Sequence, residues 1–83
     1  MSPAREKILD SFCVALNKVK RSGFAVQQLA PGAYLGGDLG VDSVEMLEIW
    51  YDVEKALGVH VPDEEKRGIL TVGEVVSVFE RKL

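Results

Sequence analysis

The sequence predicts an all-α fold, with three main helices and one short one packed as a small bundle. Three observations carry this expectation. Apolar residues recur at helical spacing in three separate stretches, each of those stretches opens on a side chain able to cap a helix, and a short acidic turn follows a proline between the second and third. The chain has 83 residues, 47% of them hydrophobic and 28% charged, which suits a folded globule better than a disordered tail. A chain this short buries roughly 60% of its unfolded surface, enough for one core, so a single domain over residues 1–83 is expected. With one cysteine, Cys13, no intrachain disulfide can form, and stability must come from packing.

The first helix takes Ser2 as its N-cap and Pro3 as its first helical residue, and carries Ile8, Phe12, Ala15, Leu16 and Val19 on one stripe. Gly23 is expected to end it. From Gly23 to Asp42 runs a long connection broken by Ala30-Pro31-Gly32 and Gly36-Gly37, with a small turn expected at Val26 to Ala30 and with Leu35 and Leu39 pinning it to the core. The second helix, Ser43 to Leu57, opens with Asp42 as cap and Glu45 three residues on, a capping box with Asp in the place of Ser or Thr. Pro62 followed by Asp63-Glu64-Glu65 reads as the acidic first turn of a short helix, weakened by Gly68. Thr71-Val72-Gly73-Glu74 is a second capping box, and Val72, Val75, Val76, Phe79 and Leu83 behind it describe one buried face. The β-branched run from Val72 to Val78 also suits a short strand, but its period is helical.

The second helix has more apolar surface than one core contact needs. Met46, Ile49, Trp50, Val53 and Leu57 form the face turned to the bundle. Val44, Leu47 and Tyr51 form a second strip, bordered by Glu45, Glu48 and Asp52. Scattered exposed apolar residues are ordinary, but a charged rim around an apolar strip favours a docking surface. The charge layout agrees. The net charge is −3, yet residues 38–65 hold nine acids against Lys55, a window of −8 between basic flanks of +3 and +2. Such asymmetry favours a partner with a basic surface and disfavours nucleic acid, whose phosphates would meet the acidic face.

Ser43 falls in the first turn of this helix, at the edge between the two strips, where its hydroxyl is expected to be exposed. A helix N-terminus offers free N–H groups and partial positive charge, so a phosphate ester is favoured there. As a catalytic nucleophile the serine lacks a base, since the one histidine, His60, lies beyond the far end of the helix. It reads as a residue that is modified.

These residues carry a resemblance. Asp38-Leu39-Gly40-Val41-Asp42-Ser43-Val44 resembles the Asp-Ser-Leu motif of acyl carrier proteins, Glu45 to Leu57 that family's recognition helix, Gly58 to Glu65 its approach to helix III, and Thr71 to Glu74 its entry to helix IV. The resemblance covers most of the chain and is weakest over residues 1–34. It implies a four-helix bundle with a long first loop, and esterification of Ser43, preceded by Asp42, with 4′-phosphopantetheine, whose thiol carries acyl groups as thioesters between biosynthetic enzymes. The chain itself would catalyse nothing. The implied partners are a phosphopantetheinyl transferase, acyl transferases or ligases, and ketosynthases or related acyl-handling enzymes, met through Val44, Glu45, Leu47, Glu48 and Tyr51. Val44 departs from the Leu or Met more usual after the serine, and Trp50 and Tyr51 are bulky for this helix. With a milder net charge than fatty-acid-synthesis carriers, these departures favour a discrete carrier in polyketide-like or other specialised metabolism. A peptidyl or aminoacyl carrier and an unmodified carrier-shaped module remain open, though Asp42 beside Ser43 leans towards acyl cargo.

No apolar stretch approaches the ~18 residues that span a bilayer, and Met1 to Lys7 lack the apolar segment of a signal peptide, so a cytoplasmic location is expected; a monomer is the expected state, though no residue pattern fixes it. No residue set suits a metal site, a nucleotide-binding glycine loop or a pair of catalytic carboxylates. Cys13 reads as packing and His60 as a loop residue. Acyl chains slipping between helices would meet Met46, Ile49 and Val53.

Overall fold

The computed structural model describes residues 2–83 and contains α1 (Pro3–Lys20), a 3₁₀ turn (Val26–Gln28), α2 (Ser43–Leu57), α3 (Asp63–Lys66) and α4 (Val72–Glu80). This is the expected all-α bundle of three main helices and one short one, with α1 packed on both α2 and α4. Each long helix starts where its cap dictates. Ser2 Oγ accepts from the Arg5 N–H at 3.2 Å, and Pro3 follows where the helix has no N–H to lose. Thr71 and Glu74 satisfy each other's backbone amides at the head of α4, so Val72 to Val78 lie in a helix. Among the described residues no helix is long and apolar enough to cross a membrane.

The core joins Ile8, Phe12 and Leu16 of α1, Ile49 and Val53 of α2, and Val72, Val75, Val78 and Phe79 of α4, all fully buried. Trp50 and Phe79 meet with ring centroids 5.3 Å apart, a tilted aromatic contact that locks α2 to α4. Met46 and Leu57, at the ends of the α2 core face, are half-buried, as is Val19 of the α1 stripe. Cys13 is buried, its thiol directed at the Phe24 carbonyl, and burial pushes its pKa up.

Two helix ends differ from expectation. Arg21, rather than Gly23, ends α1: it adopts the left-handed conformation at φ 52° and donates its N–H to Asn17 O. The cost of that conformation in a non-glycine residue is offset by Asn17, whose Oδ1 accepts from Phe24 N–H and Ser22 Oγ and whose Nδ2 donates to Phe24 O. Leu83 does not share the buried face of α4, because the helix stops at Glu80 and the 3.6-residue register ends with it; Leu83 is 52% exposed.

The long connection is tied down at both ends. Leu35 and Leu39 are buried as expected, with Val41 beside them. Leu35 N–H donates to Leu70 O and Val72 N–H to Ala33 O, which form an isolated bridge between Tyr34 and Thr71. Gly73 N–H donates to Pro31 O at 2.8 Å, and a Cβ at Gly73 would lie 2.9 Å from that oxygen, so only glycine permits this approach.

Candidate functional site

The site is the head of α2 and the turn that feeds it. Residues 34–41 fold back on themselves: Leu39 N–H donates to Tyr34 O, Gly40 N–H to Gly36 O and Val41 N–H to Leu35 O. Gly40 turns at φ 68°, a conformation that suits glycine, and delivers Asp42 to the cap position. Asp42 Oδ1 accepts from Glu45 N–H at 2.8 Å, and Glu45 Oε1 accepts from Asp42 N–H at 3.0 Å. With these groups engaged, the Ser43 and Val44 amides have no acceptor among the described residues, as helix geometry gives them no intrahelical one.

Ser43 is exposed, and among the described residues its hydroxyl makes no hydrogen bond. It opens onto a groove of about 520 Å³ between α2, α3 and the segment before α4. Asp42 and Ser43 are part of its lining. Buried Val41 and Trp50 with half-buried Met46 supply apolar wall, and exposed Leu47 and Leu70 form the rim. Lys66 and Arg67 add cations, which the sequence reading did not associate with Ser43. Ile49 and Val53, expected to meet a buried acyl chain, do not line this groove: both are fully buried in the bundle core, and of the expected set Met46 alone faces the groove. A larger depression of about 630 Å³ between α1 and α2 contains none of these residues.

The second strip of α2 is exposed along its length, with Val44 at 75% and Leu47 and Tyr51 at 62% each. Its acidic rim is more compensated than the sequence implies. Glu45 pairs with Lys20 at 3.1 Å and Asp52 with Lys18 at 3.3 Å, which leaves Glu48, exposed, as the rim acid without an ion pair among the described residues. Further along, Glu54 pairs with Lys66 and Glu65 with Lys82. Lys18 and Lys20, at the end of α1, are far from the rim in sequence, so no local pattern announces their pairs. Among the described residues no group of three His, Cys, Asp or Glu side chains is placed to hold a metal ion.

No protein-family model matches the chain. It is similar to the meromycolate extension acyl carrier protein of Mycolicibacterium smegmatis, with 31% identity covering 98% of this chain and 80% of that protein. It is similar to the acyl carrier protein of Acidothermus cellulolyticus, with 33% identity covering 93% of this chain and 89% of the other. A third similarity, 29% identity, extends over the whole of this chain and 96% of the acyl carrier protein of Amoebophilus asiaticus.

Proposed function

The chain belongs to the acyl carrier protein family, and from that membership and the geometry at the head of α2 we propose that Ser43 is the attachment site of a 4′-phosphopantetheine arm. The observation that carries this is a serine hydroxyl that is exposed, makes no hydrogen bond among the described residues and is held in the first turn of a capped helix beside an apolar groove. These features fit the group. The Ser43 and Val44 amides and the helix dipole favour its phosphodiester, and the groove offers apolar wall to whatever lies along it. Attachment forms a bond between Ser43 Oγ and a phosphorus of coenzyme A, breaks the pyrophosphate bond, releases adenosine 3′,5′-bisphosphate and passes the serine proton to a base of the transferase. When bound, the arm supplies a terminal thiol that holds acyl cargo as a thioester.

The chain's own task is presentation. Val44, Leu47 and Tyr51 offer apolar contact to a phosphopantetheinyl transferase and then to acyl transferases, ligases or ketosynthases, while Glu48 supplies rim charge and Glu45 holds the cap. A small patch with screened charge suits encounters that must end after each transfer. The similarity to a meromycolate extension carrier is consistent with a discrete carrier in specialised lipid or polyketide-like metabolism. Incubation with coenzyme A, Mg²⁺ and a broad-specificity transferase, read by intact mass, tests the reading: the chain should gain one phosphopantetheinyl group and a titratable thiol. No mass gain under conditions that modify a known carrier leaves the unmodified module instead. Loading with acyl and aminoacyl donors then separates the two kinds of cargo.

A further inference from the structure

We propose that Lys20 is a positioning residue for modification at Ser43, holding the turn that presents the hydroxyl; this rests on the reading of Ser43 as the attachment site. The Lys20 ammonium lies 2.8 Å from the Gly40 carbonyl oxygen and 3.1 Å from each oxygen of Glu45. Its three donors are thus spent on the two residues that bracket the site. Gly40 is the left-handed hinge of the turn, and Glu45 Oε1 is the same oxygen that accepts from Asp42 N–H at 3.0 Å. One ammonium therefore fixes both the entry to the cap and the side chain that closes it.

Lys20 is the last residue of α1, the longest helix, so the clasp anchors the turn to a rigid element 25 residues away in sequence from Glu45. Nothing else among the described hydrogen bonds joins α1 to the Gly40–Glu45 segment. With both side chains about a quarter exposed, a pair of this kind adds little to global stability, so its consequence is local. Without it, Gly40 keeps its turn bond to Gly36, but the cap at Asp42 is braced from one side only, and the hydroxyl samples orientations the transferase does not use. Because Glu45 regains a free negative charge when Lys20 is removed, docking to a basic partner is not weakened.

Steady-state transfer from coenzyme A to full-length Lys20→Met and Lys20→Arg proteins tests this. Lys20→Met should lower kcat on the order of tenfold while KM for the carrier changes less than about twofold. Lys20→Arg, which keeps the charge and several N–H donors, should recover most of the loss. Amide exchange at Asp42 should quicken about tenfold in Lys20→Met, with exchange in α4 unchanged. An unchanged kcat with unchanged Asp42 exchange overturns the proposal, and so does a rise in KM at constant kcat, which makes Lys20 a docking charge. A wild-type chain that accepts no arm overturns the Ser43 reading itself and this inference with it.

Discussion

The Lys66 ammonium lies 2.7 Å from Glu54 Oε1 and 5.7 Å from the centroid of the Trp50 ring. The ammonium is off the line of a hydrogen bond to that buried oxygen, so the contact rests on charge. The four residues of α3 are too few to be stable alone, and this pair ties them to α2. Both side chains are well buried, at 16% and 12% exposure, so screening is weak. Lys66→Met retains an apolar stem against Trp50 but leaves the Glu54 carboxylate, among the described residues, with His60 alone at 3.5 Å. The expected loss is about 1–3 kcal/mol. Urea unfolding followed by Trp50 fluorescence measures it, and adding Glu54→Gln should recover part of the loss. An unshifted midpoint for Lys66→Met assigns the attachment of α3 to apolar contacts alone.

Glu48 is exposed on the α2 rim and has no ion pair among the described residues, so its charge is available to a partner. Reversal to lysine should slow arm transfer at low salt and flatten its salt dependence, with no change in melting temperature. Transfer rates between low and physiological ionic strength check this. A Glu48→Lys protein with the wild-type rate at low salt removes Glu48 from the docking face.

Leu47 and Ile49 lie two residues apart on α2 and point to different environments, one exposed and one fully buried. Leu47→Ala should change stability by less than about 0.5 kcal/mol and yet impair transfer. Ile49→Ala should cost about 2–5 kcal/mol. Paired denaturation and transfer assays separate the two roles, and equal stability losses would contradict the exposure of the second strip.

The helical architecture was legible in the chain because it is written locally. Asp42 with Glu45 and Thr71 with Glu74 mark helix starts within four residues, and the 3.6-residue spacing separates Ile49 and Val53 from Leu47 and Tyr51. Ser43 stands out for the same reason, as a serine one residue past a cap. What escaped depends on distance along the chain. Lys18 reaches Asp52 across 34 residues and Lys20 reaches Glu45 across 25, so a band that looks acidic in sequence is partly neutralised in space. The left-handed Arg21 depends on the Asn17 side chain, and the demand for glycine at position 73 depends on Pro31. The groove lining also combines α2, α3 and Leu70, which no single periodicity contains.

Glu74 supplies a pH test of α4. Its carboxyl is held below the ordinary carboxylate range, first by the Leu70 N–H and then by the hydroxyl and N–H of Thr71. The fold therefore favours the ionised form. Its contribution is complete above the unfolded value, about 4.3, and is lost as pH falls through the lower folded value. The stability gap between wild type and Glu74→Ala should be widest near neutrality and should narrow on acidification below that range. Thermal melts at a series of pH values check this, and a gap that is constant or grows in acid contradicts it.

The chain contains five serines, Ser2, Ser11, Ser22, Ser43 and Ser77, and only one of them opens a capped helix beside the groove. Fragment-ion mass spectrometry of the transferase-treated protein should find the phosphopantetheinyl group on Ser43 alone, and Ser43→Ala should remain unmodified with its fold intact. An arm located on another serine, or carried undiminished by Ser43→Ala, would contradict the assignment of this hydroxyl as the carrier's anchor.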